Sequence, residues 1–181
     1  KQGFRRVRCF LVMGVDLDRV QLRGSQSNEI TIKNLEPGQE NDLAAIQNHI
    51  FTGSWGFCPN TSRDIKYFLN LTGSRIQDVL LLEKNHMPIG YFWSHPVSSQ
   101  SKEKNRGQKA RIHMLGLEKA FRSKGNGYIL LSLGMNYLRK QEFDFVGLTV
   151  DSMNHPAVNL YKKFGFRVIR RTYWYELLLD Y

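Results

Sequence analysis

The apolar and polar positions of the chain alternate in patterns that predict strands. Glu29–Lys33 alternates with a period of two, and a polar turn joins the apolar runs Val79–Leu82 and Ile89–Trp93 as in a β-hairpin. Phe145–Val150 is mostly apolar, which is typical of a strand covered on both faces. Three more strands are predicted at Arg111–Leu117, Phe166–Ile169 and Thr172–Leu179.

Apolar residues spaced three and four positions apart predict helices between these strands. Leu43, Ile46 and Ile50 define one helix face, and Thr61 with Asp64 resembles a capping box at the start of a second helix. Two further helices are predicted over Gly127–Lys140 and from an N-cap at Asn154 to Gly165. The order of strand, two helices, three strands, helix, strand, helix and two strands predicts an α/β fold with a mixed sheet and helices on both faces.

A short repeat relates the first residues to the end of the chain. Lys1–Arg8 and Lys163–Arg170 share the pattern K-x-G-F-R-x-(aliphatic)-R. Residues 14–29 are largely polar and resemble a linker. We therefore predict that residues 1–28 are the tail of a preceding similar domain plus a linker, and that residues 29–181 form the domain itself.

Composition excludes several classes of protein. The 181 residues are 41% hydrophobic, enough for a packed core, but no apolar run reaches the roughly 18–20 residues of a membrane helix. Two cysteines, Cys9 and Cys58, cannot build a disulfide framework or a four-ligand zinc site. They indicate free thiols in a reducing compartment, so we expect a cytoplasmic protein without a metal.

The net charge of +10 is concentrated in two stretches. Residues 102–124 contain eight basic and two acidic side chains, and residues 162–171 contain five basic and none acidic. A solvated basic face would explain this charge. A nucleic acid, a membrane surface or a small polyanion would explain it equally well at this point.

Between the strand at 111–117 and the following helix, the chain reads R-x-x-G-x-G from Arg122 to Gly127. Glycines at the start of a helix leave main-chain N–H groups free to hold an anion, and the positive end of the helix dipole adds to the attraction. A dinucleotide fingerprint would need a third glycine where Leu130 stands, and a Walker A loop is absent.

These residues resemble the GNAT superfamily of acyl-CoA-dependent N-acyltransferases, whose cofactor motif is Q/R-x-x-G-x-G/A. A second family motif, L-x-V-x-x-x-N-x-x-A-x-x-L-Y-x-x-x-G-F, matches the stretch from Leu148 to Phe166 in order and spacing. Asn126 departs from the pattern, because the family usually has an aliphatic residue there. The resemblance implies the GNAT fold, a mixed and mostly antiparallel sheet of six to seven strands. The repeat further resembles the layout of tandem GNAT proteins such as mycothiol synthase.

The resemblance also implies a site for acetyl-CoA, the expected cosubstrate, between strands 111–117 and 145–150. The pyrophosphate would lie on amides around Lys124–Tyr128, and a main-chain N–H near Leu115 or Gly116 would polarise the thioester carbonyl. The implied cofactor-binding residues are Leu115, Gly116, Leu117, Arg122, Ser123, Lys124, Gly125, Asn126, Gly127, Tyr128 and Asn154. Asn154 would equally serve as a purely structural N-cap of the helix that follows it.

The family position of Tyr161 implies a proton donor to the departing CoA thiolate, although the same tyrosine fits the apolar face of its helix. His113 is the first candidate for a general base. Strict alternation would place it on the face of Leu115 and Leu117, but the bulge that the family has in this strand can shift that phase. His95 is a second candidate, Glu83 and Glu118 are weaker, and a water chain would need no base.

The expected activity is transfer of an acetyl group from acetyl-CoA to a primary amine of a small molecule by direct attack. A protein amine, or a non-catalytic acyl-CoA-binding half of a tandem protein, remains an alternative. The acceptor site is expected within residues 51–75 and 93–109. We expect neither a nucleic-acid nor a membrane partner, while an upstream GNAT domain in the same chain and a homo-oligomer remain open.

Overall fold

One seven-stranded sheet organises the computed structural model, which describes residues 3–22, 30–97 and 107–177. The strands are β1 (Phe4–Asp16), β2 (Ile30–Asn34), β3 (Val79–Lys84), β4 (Met87–Pro96), β5 (Lys109–Leu117), β6 (Phe145–Asp151) and β7 (Arg167–Leu177). The α-helices are α1 (Glu40–Phe51), α2 (Ser62–Thr72), α3 (Asn126–Lys140) and α4 (His155–Lys163). The predicted α/β class and the mixed, mostly antiparallel sheet of six to seven strands are confirmed.

The sheet has the order β2-β3-β4-β5-β6-β1-β7, and the only parallel pair among the described strands is β5 with β6. Alternate residues of β4 enter separate cores on the two faces. Tyr91 and Trp93 pack with the buried residues of α1 and α2, whereas Phe92 packs with those of α3 and α4. The prediction of helices on both faces is therefore confirmed.

The local signals that start the helices act as predicted. The Thr61 main-chain N–H donates to the Asp64 carboxylate at 2.8 Å, and the Asp64 N–H donates to the Thr61 hydroxyl at 3.3 Å. This capping box satisfies two amides that the first turn of α2 cannot pair internally. At the start of α4, the Asn154 side chain accepts from the Ala157 N–H at 3.2 Å.

The first strand was not predicted as part of this sheet. Residues 1–28 were predicted as the tail of a preceding similar domain plus a linker, and β1 lies inside the sheet, antiparallel to both β6 and β7. Leu11, Met13 and Val15 alternate along β1 and are buried in the core of α3 and α4. The fold therefore includes residues 4–16, and the expected count of seven strands is reached with a different strand from those predicted.

The end of the chain also differs from expectation. Two strands were predicted at 166–169 and 172–179, but β7 continues through Arg170 and Arg171 without a turn. Its pairing with β1 spans both segments, so the polar pair is accommodated on an exposed strand rather than in a loop. The last predicted residues, 178 and 179, lie outside the described part of the chain.

Strands β5 and β6 pair only at their beginnings. Lys109, Ala110 and Arg111 are paired with Phe145, Val146 and Gly147, and no pairing follows along the described remainder of the two strands. From Ile112 onward, the edge of β5 that faces β6 has unpaired main-chain groups. The two strands therefore diverge after Arg111, which opens the sheet between the strands that the resemblance implies on either side of acetyl-CoA.

Candidate cofactor and acceptor site

The open edge of β5 carries three of the predicted cofactor-binding residues, Leu115, Gly116 and Leu117. On the other edge they are paired with β4, so their positions are fixed from that side. Gly116 is also fixed by packing, because a Cβ there would lie 2.7 Å from Ile50 Cγ2 and 2.9 Å from Phe51 Cε2. A glycine lets the end of α1 approach the strand closely, which holds this edge in place.

A β-bulge interrupts β5 before these residues. Trp93 is opposite Met114 and Ser94 is opposite Ile112, so His113 is the extra residue. The bulge shifts the phase of alternation, and the His113 ring lies 4.6 Å from the Trp93 ring on the face of α1 and α2. Of the two alternatives, strict alternation and a bulge, the bulge is the one present, and Leu115 and Leu117 contact the opposite core.

The loop between β5 and α3 has the backbone geometry of an anion cradle. Ser123 and Gly125 both have positive φ, of 60° and 83°. Asn126, which is buried, donates from its side-chain amide to the Phe121 carbonyl at 3.0 Å and so closes the loop on itself. The departure from the family pattern at Asn126 therefore has a structural use.

The main-chain amides of Ser123, Lys124, Gly125, Asn126 and Gly127 make no hydrogen bond to any described residue. The Tyr128 amide, predicted as part of the same cradle, instead donates to the Gly125 carbonyl at 2.9 Å. That prediction is corrected: the unpaired donors end at Gly127. Together with the N-terminal end of the α3 dipole, they suit a phosphate group.

Arg122 serves the loop in a way that the sequence did not indicate. Its Nε donates to the Leu117 carbonyl at 2.8 Å, and its Nη2 donates to the Ile50 carbonyl at 3.0 Å. Both acceptors are main-chain oxygens, one on β5 and one in the last turn of α1. The guanidinium therefore ties the cradle to the strand and to the helix, and two of its donors are not available to phosphate.

Tyr161 lies in α4, with its ring 5.7 Å from the Phe166 ring. The side chain is buried, and this burial raises its pKa to about 12. The hydroxyl accordingly keeps its proton at neutral pH. No hydrogen bond joins it to another described residue, so the hydroxyl still has its proton to donate.

A cavity of about 260 Å³ opens on the face of α1 and α2 beside the bulge. It is lined by Gln47, Gly56, Phe57, Cys58, Asn60, Phe68, Trp93, His113 and Met114. These described lining residues include no Asp, Glu, Lys or Arg. The Nε2 atom of Gln47 is buried and lies outside hydrogen-bond geometry with every described residue. Its interaction with the Tyr91 hydroxyl opposes the effect of burial, which raises the pKa of that phenol.

The cavity includes residues that sequence reasoning missed. Phe57, Cys58, Asn60 and Phe68 fall within the predicted range 51–75, but Gln47 does not. In the sequence Gln47 is one of several polar residues of α1, and nothing local distinguishes it. Only the three-dimensional packing shows that it lines the cavity. Its Oε1 accepts from the Asn60 side chain at 3.0 Å, which joins α1 to the loop before α2.

The candidate general bases His113, His95 and Glu118 differ in their surroundings. Burial is the main cause that lowers the pKa of His113 to about 4, and His95 and Arg111 add to the effect. The imidazole is therefore neutral at pH 7 but weakly basic. Glu118 is bound to His49 at 2.7 Å, and His95 Nδ1 lies 3.0 Å from the Pro96 carbonyl. The base role of His113 stays a prediction.

Comparison with known proteins decides the family. The pattern of the acetyltransferase (GNAT) family matches residues 41–166, which is more than half of the chain. The chain belongs to the GNAT acetyltransferase family. This family consists mostly of acetyl-CoA-dependent N-acetyltransferases, and the unpaired amides of the cradle and the open edge of β5 fit that cosubstrate.

Individual GNAT relatives are more distant. Mycothiol acetyltransferase of Corynebacterium efficiens is 28% identical over 96% of this chain and 59% of its own length. That of Corynebacterium glutamicum strain R is 33% identical over 55% of this chain and 31% of its own length. A GCN5-related N-acetyltransferase structure from Sphaerobacter thermophilus has a TM-score of 0.72 at 22% identity, covering 96% of this chain and 52% of that one. The chain spans about a third to three fifths of these curated relatives.

No metal site or membrane helix emerges from the described residues. No group of three or more His, Cys, Asp or Glu side chains comes together in the described ranges. The helices in these ranges are too short or too polar to cross a bilayer. Cys9 and Cys58 are both free thiols.

The buried imidazole predicts a pH dependence of stability. The pKa of His113 is about 4 in the folded state against 6.5 for an unperturbed histidine, so the unfolded chain binds this proton more readily. Stability from this group is lost as the pH falls from about 6.5 to 4, by about 3 kcal/mol. Urea unfolding at pH 7, 5.5 and 4.5 measures the loss.

His113→Phe should show a smaller loss of stability on acidification than the unchanged chain. His155→Gln, an exposed substitution in the first turn of α4, should keep the unchanged pH dependence. Equal slopes for the unchanged chain and His113→Phe would contradict the assignment of a low pKa to His113.

Proposed function

We propose that this GNAT domain transfers an acetyl group from acetyl-CoA to a primary amine of a small molecule by direct attack. The observation that carries the proposal is the set of unpaired amides from Ser123 to Gly127 next to the open edge of β5. These two features together suit a phosphate group and an extended arm that continues from it.

Different residues of the chain are proposed to bind the pyrophosphate and the pantetheine arm of acetyl-CoA. The cradle amides hold the pyrophosphate of acetyl-CoA, with Arg122 fixing the loop from below and exposed Lys124 adding positive charge. Unpaired main-chain groups of Leu115 and Leu117 bond the pantetheine arm like an added strand. Because the Leu117 carbonyl already accepts from Arg122, that oxygen has only one lone pair left for the arm.

The proposed chemistry is a single displacement. The lone pair of the amine nitrogen attacks the thioester carbonyl carbon, and the C–S bond breaks with its electrons staying on sulfur. A main-chain N–H near Leu115 or Gly116 stabilises the developing oxyanion. Tyr161 donates its phenolic proton to the thiolate, and the ammonium proton of the product leaves to water. Solvent then restores the proton on Tyr161.

The acceptor is proposed to bind in the cavity beside His113. Because its described lining offers no carboxylate, a neutral amine enters more readily than an ammonium ion. Gln47 Nε2 would turn from the Tyr91 hydroxyl to donate to an oxygen of the acceptor, and the Trp93 and Phe68 rings would pack against the acceptor's carbon skeleton. Relatives named mycothiol acetyltransferase favour a small-molecule acceptor over a protein.

A panel of small primary amines with acetyl-CoA tests the proposed function. We expect release of free CoA that depends on the amine, with an apparent KM that rises at least about tenfold in Gln47→Leu because a buried donor is lost. Lys66→Leu, on the exposed face of α2, is the matched surface control and should keep the KM. Tight binding of acetyl-CoA without turnover for any amine would instead indicate a non-catalytic acyl-CoA-binding half.

A further inference from the structure

The outer edge of β7 is an unusual surface for an isolated domain. No described strand pairs with it beyond β1, and every residue of β7 is exposed. The strand nevertheless carries large apolar side chains at alternate positions, Tyr173, Tyr175 and Leu177. A long, exposed, apolar edge is a template for pairing with another strand.

The repeat noticed in the sequence makes β1 and β7 equivalent to each other. Gly3 and Phe4 correspond to Gly165 and Phe166, an offset of 162 residues. In the structure these two copies are hydrogen-bonded neighbours that run antiparallel. Two equivalent antiparallel strands that lie side by side can be related by a twofold axis. Such an axis requires the residue pairs between the strands to repeat when the two strands are exchanged.

The pairing of β1 with β7 is symmetric about Phe10 and Thr172, which are equivalent positions and face each other. The offset makes Arg5 equivalent to Arg167 and Glu176 equivalent to Gly14. The pair Arg5–Glu176 therefore has its counterpart in the pair Gly14–Arg167, which is also present. Nine of the ten residue pairs obey the symmetry: each has its counterpart among the other pairs or, as with Phe10–Thr172, maps onto itself. The register shifts obey the symmetry too, because Val7 and Ile169 are the extra residues of the two copies.

The two strands differ in what covers them. β6 pairs with the outer edge of β1, and there Leu11, Met13 and Val15 are 8%, 0% and 7% exposed. Their equivalents Tyr173, Tyr175 and Leu177 on β7 are 41%, 55% and 43% exposed. The same apolar alternation is thus buried in one copy and uncovered in the other.

We propose that the outer edge of β7 pairs with a strand equivalent to β6 from a second GNAT domain, located upstream in the same polypeptide. In that arrangement β1 is the last strand of the upstream domain and lies in the sheet of this one. By the same twofold axis, β7 is the last strand of this domain and lies in the sheet of the upstream one. The two sheets become continuous through exchanged strands.

The symmetry specifies the contact. Phe10 faces Asp151 and Met13 faces Leu148 in the existing pair of β1 with β6. Thr172 would face the upstream equivalent of Asp151, and Tyr175 the equivalent of Leu148. The helices equivalent to α3 and α4 would then cover Tyr173, Tyr175 and Leu177. That the chain spans 31% to 59% of the first curated relatives supports a partner within one longer polypeptide.

The test compares the product of the whole open reading frame with the 181-residue chain. Hydrogen–deuterium exchange of the peptide 170–177 should be at least about tenfold slower in the longer protein. Tyr175→Lys should lower the Tm of the longer protein by roughly 2–4 °C or more and leave that of the 181-residue chain unchanged. Met87→Lys, a substitution of another exposed apolar residue at the start of β4, should affect neither protein.

Three results would overturn the proposal. The first is an open reading frame without an upstream GNAT domain, and the second is equally fast exchange of the peptide 170–177 in both proteins. The third is a dimer of the 181-residue chain, seen by sedimentation and dissociated by Tyr175→Lys, together with unprotected β7 amides in the longer protein. That result would assign the edge to a second copy of this chain.

Discussion

Replacing Tyr161 by phenylalanine is expected to lower kcat by about 10² to 10⁴-fold and to leave the affinity for CoA unchanged. The substitution removes only a hydroxyl, whose pKa of about 12 keeps it protonated and able to donate to a thiolate. It removes no hydrogen bond within the described chain. Steady-state rates with acetyl-CoA and a responsive amine, together with calorimetric titration of CoA, measure the two quantities.

The change should not reduce stability, which separates catalysis from packing. The aromatic ring, which contacts Phe166 in the core, is retained in phenylalanine. Tyr128→Phe is the matched control, because Tyr128 lies at the start of α3 and packs against Phe164 with its ring at 4.7 Å. We expect this control to retain most of its kcat. A Tyr161→Phe protein with unchanged kcat would show that Tyr161 serves only the apolar face of α4.

Most of the fold was predictable because its signals are local. The capping box at Thr61 and the N-cap at Asn154 are formed by residues three positions apart, so the sequence contains the whole interaction. The R-x-x-G-x-G spacing likewise fixes a loop and the start of a helix within six residues. These elements could be predicted without knowing what they pack against.

Prediction from the sequence stopped where distant segments decide the structure. The alternation of Leu11, Met13 and Val15 does not reveal which sheet receives β1, so this strand was predicted only as the tail of a preceding domain. The face of His113 stayed open because a bulge depends on the pairing of β5 with β4. The hydrogen bond from Arg122 to α1 was not predicted, because its acceptor on Ile50 lies 72 residues away in the sequence.

The positive charge that first suggested a polyanion is a further feature whose role depends on distant segments. Lys119, Arg122 and Lys124 belong to the loop at the cradle, while Arg167 to Arg171 lie on β7 beside β1. Part of the second stretch is therefore at the sheet edge for which we propose a second domain. Charge counted along the chain identifies candidate partners, but the elements that carry it determine which partner each stretch meets.

Replacing Gly125 by alanine is expected to weaken CoA binding by about tenfold. Gly125 precedes the first turn of α3 with φ at 83°, a conformation that costs an L-residue about 1–2 kcal/mol. Relief of that strain rotates the peptide groups on either side and turns the cradle amides away from a common centre. An added methyl group itself meets nothing within 4 Å, so the effect comes from the backbone alone.

Gly127→Ala provides the matched comparison two residues further along. Its Cβ would lie 3.4 Å from Leu160 Cδ2 and 3.7 Å from Leu117 Cδ1, which is ordinary contact, and its φ is not positive. Calorimetric titration should therefore give a Kd for CoA close to that of the unchanged chain, with a Tm that is equal or higher because alanine favours helix over glycine. Equal losses of affinity in both variants would mean that steric access, rather than the left-handed turn at Gly125, controls the cradle. Unchanged affinity in Gly125→Ala would show that the pyrophosphate does not bind to the amides from Ser123 to Gly127.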